Sequence, residues 1–395
     1  MTPKKLHEVD RLSRVVFTVA ERSHVDTIID IGAGHGYLTH LVATQNPSRR
    51  VVAIDCEDAR TCGSKDRGSR ILSSVHHQVP AAMLNFGGYH HRLKLDPTWT
   101  SKVEYATARL DPATLSETCG GGKGSRYALV GLHSCGDLSG VTMLTTFLEC
   151  GDVKAVVVVA CCYQRITTGS GPNDAAAGIP LSQTVKDLTS HRNPPFTLTH
   201  RVLSSAQLTF ASFADSTTII SSFKGHYHRS LFELALRRWS TMHPASFDRL
   251  GLNEPASFSS GPSFRVGGLP KACTRNFRAY CLAAAGKMGL LVGEDVEQDL
   301  GLGRSLDGLI LELQEEFPVE RMLPRIALMC VLRSVLGPCV EALVLLDRVK
   351  YLEEGLGCGP NGEAKGKVWL RNIFENDLSP RNAAIVAEKT DGGQI

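Results

Sequence analysis

Residues 27–36 read Thr-Ile-Ile-Asp-Ile-Gly-Ala-Gly-His-Gly and predict a strand that ends in a glycine-rich turn. The apolar run over 27–31 is typical of a strand that is buried on both faces of a parallel sheet. The turn contains three residues without side chains, which let a ligand approach the backbone closely: Gly32, Gly34 and Gly36. Apolar residues at helical spacing over 37–43 predict a following helix, which offers its free N–H groups to that ligand.

The spacing of the glycines favours one class of ligand. A dinucleotide site requires Gly-x-Gly-x-x-Gly, whereas this turn reads Gly-x-Gly-x-Gly and Tyr37 follows its last glycine. Asp30 precedes the turn and would pair with an ammonium group, directly or through water, while repelling a pyrophosphate. Asp55 ends the next apolar run, about 20 residues after the glycines, where a carboxylate accepts both ribose hydroxyls. These residues predict S-adenosylmethionine (SAM) as the cofactor, with a dinucleotide or an unliganded turn as the alternatives.

Further apolar runs predict the other parallel strands: 50–55, 103–110, 127–132 and 154–160. Strands that alternate with helices and are apolar on both faces indicate an α/β fold with a parallel sheet covered on both sides. Asp111 follows the third strand, where it would meet the adenine amino group of SAM or, equally well, cap a loop.

The regular alternation ends near residue 165. Beyond it the sequence predicts loops and helical patches, then a strong helix over 321–353, and finally two closing strands over 367–374 and 382–389. We therefore divide the chain into four parts. They are an N-terminal helix (1–26), a SAM-binding core of five strands (27–165), an insertion (166–320), and the last helix and closing strands of the core (321–395).

Two groups of polar residues follow the fourth and fifth predicted strands, and adjacent parallel strands would bring them together beside the SAM methyl group. The candidates for a role in catalysis are His133, Cys135, Asp137, Cys161, Cys162 and Tyr163. His133 is the best base, because methyl transfer mostly needs alignment and requires a base only where a proton must leave. Tyr163 would orient an acceptor or stack on it, and Asp137 has helix capping as its plainer alternative.

Some of the same residues are of types that bind zinc. However, the spacing of His133, Cys135, Cys161 and Cys162 does not resemble a known zinc finger, and neighbouring cysteines rarely both ligate one ion. The sequence therefore predicts no metal site, with buried structural thiols as the alternative role of the cysteines.

The overall composition is that of an ordinary globular protein. The chain has 395 residues, 43% of them hydrophobic and 21% charged, and its net charge of +3 does not by itself indicate nucleic acid binding. No signal peptide is recognisable, so we expect an intracellular protein, cytoplasmic or nuclear, with reduced cysteines. We expect no membrane partner, because the run over 155–162 is too short and charges interrupt the apolar region near residue 335. The oligomeric state is not predicted.

Five segments spread along the chain resemble the methyltransferase-like protein 25 family, which includes members named ribosomal RNA adenine dimethylase domain-containing. They are Thr2-Pro3-Lys4-Lys5-x-His7-Glu8-Val9, then 30–36, 133–138, 160–163 and 378–382. The resemblance implies a SAM-dependent methyltransferase with a Rossmann-like class I sheet and a large, mainly helical and loop insertion before the last helix and two strands. Family members usually have sequence before the Lys-Lys element, so we expect a short form or an incomplete N-terminus.

The acceptor of the methyl group is narrowed to RNA or protein. The His-x-Cys-Gly and Cys-Cys elements are also similar to those of a family of tRNA 2′-O-methyltransferases, which favours RNA. Basic residues of the insertion would contact phosphates or, as the plainer alternative, form a solvated helix face: Arg229, Arg237, Arg238, Arg275 and Arg278. The alternative function is a catalytically silent scaffold or interaction protein that binds SAM, because binding does not require turnover.

Overall fold

The computed structural model describes residues 2–46, 48–76, 102–110, 115–119, 124–169, 177–190, 198–207, 216–242, 269–274, 276–287, 306–358 and 364–390. The chain forms two compact units. The first unit consists of Met1–Thr209 and Leu336–Ile395, and the second unit consists of Phe210–Val335.

The helices of the first unit are α1 Pro3–Arg22, α2 Tyr37–Gln45, α3 Asp58–His76, α4 Leu115–Thr118, α5 Met143–Glu149, α6 Gln183–Ser190 and α7 His200–Ser205. The second unit contains α8 Ser216–Met242, α9 Phe277–Lys287 and α10 Leu306–Glu316. The last helix, α11 Val319–Gly355, begins in the second unit and ends in the first.

The first unit is built on a seven-stranded sheet in the order β3-β2-β1-β4-β5-β7-β6. Its strands are β1 Thr27–Ile31, β2 Arg50–Asp55, β3 Val103–Thr107, β4 Tyr127–Ser134, β5 Val153–Ala160, β6 Gly366–Asn372 and β7 Ala383–Lys389. The first five strands pair in parallel, and β7 lies antiparallel between β5 and β6. This is the predicted Rossmann-like class I methyltransferase sheet, and the bounds of β1 and β2 are those that the sequence predicts.

Strand order places the ligand crevice. From β1 the chain proceeds outward through β2 and β3 on one side, whereas β4 and β5 lie on the other. The order therefore reverses between β1 and β4, and in open α/β sheets ligands bind outside the carboxyl ends of the strands at such a switch point. The glycine turn after β1 and the polar residues after β4 and β5 all lie at this edge.

Helix α1 is capped at its start and packs its apolar face in the core of the first unit. The Thr2 hydroxyl accepts a hydrogen bond from the backbone N–H of Lys5 at 3.3 Å, and Pro3 occupies the first turn, so the helix start is capped. Its buried apolar face, with Val9, Leu12, Val16 and Val19, packs in the same core cluster as residues of α2, β1 and β4.

The described residues 177–190 and 198–207 belong to the first unit, although they lie within the insertion that the sequence predicts. The buried carboxylate of Asp347 on α11 accepts hydrogen bonds from the backbone N–H groups of Leu181 and Ser182, at 2.8 and 3.0 Å. The Glu354 carboxylate accepts from the first N–H groups of α6. These contacts join residues about 165–171 positions apart, which no local pattern reveals.

The second unit has its own helical core, which includes Leu231 and Phe232 of α8, Phe277 and Tyr280 of α9, and Leu313 of α10. Tyr227 donates a hydrogen bond to the carbonyl of residue 317 at 2.7 Å. The described part of the second unit is therefore helical and has an apolar core of its own.

Helix α11 is also long and apolar enough, by length and composition alone, to cross a membrane. Only 28% of its most apolar window is buried, and Leu328, Met329, Leu332 and Val335 are more than 45% exposed. One such helix is weak evidence, because the core helix of a soluble protein passes the same test. The expectation that no membrane is involved stays a prediction.

Candidate cofactor and acceptor site

The glycine turn has the backbone that its sequence requires. Gly32, Gly34 and Gly36 have φ of +69°, +56° and +70°, in the left-handed region that side chains disfavour. A Cβ at Gly36 would collide with the Ser64 hydroxyl and lie 2.9 Å from His40 Cε1, so packing also excludes one. A Cβ at Gly34 would meet nothing closer than 4.0 Å. The backbone at Gly34 therefore faces open space, which fits close approach of a cofactor.

Asp55 at the end of β2 holds this turn in place. Its Oδ2 accepts from the Gly34 N–H at 2.9 Å, and its Oδ1 accepts from the Glu57 N–H at 3.0 Å. Each carboxylate oxygen retains acceptor capacity after one hydrogen bond. The Asp55 carboxylate thus lies directly beside the open turn and fits the expected role of accepting the ribose hydroxyls of SAM.

Asp30 is buried beneath the turn, with 2% of its surface exposed. The Thr39 hydroxyl donates to its Oδ2 at 2.7 Å, and burial raises its pKa to about 6, against the hydrogen bond from Thr39 and the nearby charge of Lys5. A buried carboxylate with a raised pKa gains from a cationic partner, because the positive charge favours its ionised form. The SAM ammonium fits this need.

The raised pKa makes SAM affinity depend on pH. If Asp30 must be ionised to pair with the ammonium, binding below pH 6 has to expel a proton. We expect the affinity to fall by about tenfold per pH unit below the pKa of Asp30 and to be constant above it. Calorimetric titrations across this range measure the effect. In Asp30→Asn the pH dependence of SAM affinity should disappear. A wild-type affinity that does not change with pH would contradict the pairing of Asp30 with the SAM ammonium.

His133 lies at the carboxyl end of β4, and Glu8 of α1 holds its ring. His133 Nε2 and Glu8 Oε2 are 2.9 Å apart, and the Ser379 hydroxyl donates to Glu8 Oε1 at 2.7 Å. Burial acts to raise the pKa of Glu8, but the hydrogen bond and charge of His133 and the bond from Ser379 lower it overall. The carboxylate therefore stays ionised and accepts the proton of Nε2, which leaves Nδ1 as the basic nitrogen.

The backbone of His133 is itself unusual. Its φ of 64° lies in the left-handed region, where residues other than glycine are uncommon and a strained conformation costs about 1–3 kcal/mol. The Cys135 thiol contacts the His133 carbonyl at 3.2 Å. The surrounding contacts thus hold a strained histidine at the edge where the acceptor is expected.

The structure brings together the three cysteines that follow β4 and β5. The Sγ atoms of Cys135 and Cys161 are 3.4 Å apart, and those of Cys161 and Cys162 are 3.5 Å apart. Neighbouring thiols raise the pKa of Cys161, whereas hydrogen bonds from Cys135 and Cys161 lower the pKa of Cys162. The three thiols therefore interact directly with one another at the carboxyl edge of the sheet.

The other two candidates are engaged in structural contacts. Asp137 does not cap the helix after it; its Oδ1 accepts from the Thr167 N–H at 2.9 Å and its Oδ2 from the Thr167 hydroxyl at 2.5 Å. Tyr163 is 2% exposed, and its hydroxyl donates to Glu341 of α11 at 2.8 Å. Burial and the adjacent Glu341 raise its pKa. These contacts favour a structural role for both residues. Asp111 lies outside the described residues.

Sequence reasoning assigned no role to the charged residues of α1, although the segment that contains them carries part of the family resemblance. Lys5 is close enough to Asp30, Glu8 and Cys161 to interact with their charges, although burial lowers its pKa overall. The available signal was Glu8 itself, because this acid lies on the same helix face as Val9 and Leu12 and is 1% exposed. A charged residue on the apolar face of an amphipathic helix needs a buried partner.

Comparison with known proteins agrees with this geometry. Residues 4–169 match the family model described as a methyltransferase domain. The mouse (Mus musculus) probable methyltransferase-like protein 25 is 25% identical over 267 residues, which are 66% of this chain and 37% of that protein. The human (Homo sapiens) protein of the same name is 30% identical over 71 residues, 18% of this chain and 12% of that protein. The chain thus spans less than two thirds of the length of either relative.

Among solved structures, M. capricolum TrmK in complex with S-adenosyl-homocysteine is 12% identical, with a TM-score of 0.23 over 37% of this chain and 50% of that chain. A TM-score this low adds no support, so the sheet order and the family model carry the assignment. Residues 4–169 are therefore similar to a methyltransferase domain, and the chain is similar to methyltransferase-like protein 25 over 66% of its length.

Proposed function

We propose that this protein is a SAM-dependent methyltransferase whose acceptor loses a proton to His133. The observation that carries the proposal is the hydrogen bond between His133 and the buried carboxylate of Glu8 at the end of β4. Since β4 pairs with β1, this base lies on the strand next to the glycine turn. The arrangement supports catalysis over a silent scaffold, because cofactor binding alone needs no oriented histidine.

The residues of the chain would act as follows. Asp55 and the turn at Gly34 would hold the cofactor, and Asp30 would balance its positive charge. Bound SAM supplies an electrophilic methyl group. Glu8 keeps the proton on Nε2 of His133, so that Nδ1 can take the proton that the acceptor atom releases. General base catalysis of this kind contributes about 10²–10⁴-fold to a rate.

We propose RNA as the acceptor, with a protein side chain as the second candidate. A hydroxyl such as a ribose 2′-OH must lose its proton during methylation, which matches an oriented base and the similarity of the His-x-Cys-Gly and Cys-Cys elements to tRNA 2′-O-methyltransferases. Neither relative described above is named for RNA dimethylation, so that narrower activity is not proposed.

The arginines of the second unit, for which phosphate contacts are predicted, give little support to RNA as the acceptor. Arg237 pairs with Glu233 at 2.7 Å, and Arg238 pairs with Glu316 at 2.5 Å. These ion pairs favour the solvated helix face over phosphate contacts for both residues. Arg278 also has an interaction partner, and Arg275 lies outside the described residues.

The proposal is tested by incubating the full chain with tritiated SAM and fractionated cell extract, followed by RNase or protease digestion. Loss of label on RNase treatment identifies RNA, and loss on protease treatment identifies protein. SAM binding without label in any fraction would contradict the proposed activity and favour the scaffold.

Two variants show whether the label comes from this site. Asp55→Asn preserves the volume of the side chain but removes one of its acceptor oxygens, so we expect labelling to fall sharply. Glu57→Gln makes the same chemical change at the neighbouring exposed residue and should leave labelling unchanged. Equal labelling by wild type and Asp55→Asn would place the activity elsewhere.

A further inference from the structure

The thiols of Cys135, Cys161 and Cys162 converge on one point at the carboxyl edge of the sheet. All three Sγ atoms lie within 4.8 Å of one another, with two of the separations at 3.4 and 3.5 Å. Tetrahedral zinc with Zn–S bonds of about 2.3 Å separates its sulfur ligands by about 3.8 Å. The spacing of the three sulfur atoms is therefore close to that of a shared ion.

The pairing of β4 with β5 explains why the spacing of these three cysteines in the sequence does not indicate a zinc site. Cys135 follows β4, whereas Cys161 and Cys162 follow β5, which pairs with β4 in parallel. Two elements that are 26 residues apart in sequence thus end side by side. A zinc finger brings its ligands together through short loops, whereas here the sheet does so, and the neighbouring pair contributes both sulfurs from one strand end.

The alternatives account for less of this geometry. A disulfide joins two sulfur atoms at about 2.0 Å and leaves the third thiol unexplained. Apolar packing of buried cysteines does not require three sulfur atoms to point at one another. Cys161 is buried, but Cys135 and Cys162 are only partly so, which leaves a route for an ion.

The charges around the cluster suit a thiolate site. The Arg165 guanidinium is close enough to interact electrostatically with Cys135 and Cys162, and the Lys5 ammonium with Cys161. Three thiolates and one divalent ion carry a net charge of about −1. Two nearby cations offset that charge, which a cluster of neutral thiols would not need.

We propose that Cys135, Cys161 and Cys162 bind one Zn²⁺ ion through three thiolates, with a fourth position left for water. Sulfur ligands select zinc over magnesium or calcium, and three protein ligands with an open fourth position are characteristic of reactive zinc sites. Among the described residues no fourth His, Cys, Asp or Glu joins the cluster, and the Nε2 of His133 is bonded to Glu8.

The test uses the full chain, reduced and freed of metal with a chelator, and then titrated with Zn²⁺ or Co²⁺. We expect one equivalent of either ion, and a Co²⁺ spectrum with the thiolate charge-transfer and intense visible bands of a tetrahedral site. Zn²⁺ should also protect these three cysteines of the wild type from alkylation, as read by mass spectrometry. This measurement needs no variant to fold.

Cys135→Ser and Cys162→Ser should lose stoichiometric binding, whereas Cys62→Ser, which changes an exposed thiol, should retain it. No binding by the reduced wild type, or a full equivalent bound by the two site variants, would overturn the proposal. Zinc binding does not depend on methyl transfer, so failure of the labelling experiment and failure of this one are separate results.

Discussion

A His133→Asn variant is expected to lose about 10²–10⁴-fold in methyl-transfer rate while its affinity for SAM stays within a factor of about three. The substitution removes the basic nitrogen, and nothing in the described contacts of the glycine turn involves His133. Asparagine is chosen because it tolerates the left-handed backbone of this position better than alanine does. Rates would be measured with the acceptor that the labelling experiment identifies, and affinity by calorimetry.

The chain offers a matched control for this variant. His24 also has a positive φ, 48°, but it is exposed at the end of α1 and the strand begins three residues later. His24→Asn makes the same change in the same backbone region and should leave the rate unchanged. A His133→Asn enzyme that turns over within threefold of the wild type would show that another group accepts the proton.

The second large effect, a loss of stability, is expected at Gly36, where the surroundings leave no room for a side chain. Gly36→Ala places a Cβ against Ser64 and His40 and forces a left-handed φ on a residue with a side chain. Strain of about 1–2 kcal/mol and overpacking of about 1–3 kcal/mol together should lower the free energy of unfolding by about 3 kcal/mol. Chemical denaturation of both proteins measures this difference.

Gly34→Ala should behave differently, because its Cβ enters open space. We expect only the backbone strain, about 1–2 kcal/mol, in stability. The added methyl group would instead occupy the space that the cofactor needs, so SAM affinity should fall by at least about tenfold, as measured by calorimetry at a temperature where both proteins are folded. Unchanged affinity in Gly34→Ala would mean that SAM does not contact this turn.

The parts of the fold that depend on local pattern were predictable. β1 and β2 are mainly apolar segments, and both strands have the predicted limits. β4 extends two residues beyond the predicted end, to Ser134, because its last residues are polar and no longer follow the apolar pattern. Residue pattern reports burial, and therefore it misses a strand end that lies at a polar site.

Contacts between distant residues were not predictable from one sequence. The Asp347 carboxylate that accepts from Leu181 and Ser182 is 165 residues or more away from them, so the sequence does not reveal that this segment packs on the first unit. The candidate site likewise has one part that a local motif predicts and another part that depends on contacts between distant residues. The cofactor residues follow from a local motif, whereas the partner of His133 lies 125 residues away on α1.

The hydrogen bond from Ser379 to Glu8 joins residues 371 positions apart, and this separation has a consequence during synthesis of the chain. A ribosome releases the glycine turn long before it has made Ser379, so Glu8 of a nascent chain still lacks this donor. Removal of the first nine residues would remove Glu8 itself and, with it, the partner of His133. The orientation of this histidine therefore requires residues from both ends of this sequence, and synthesis of its support is finished only when residue 379 has been added.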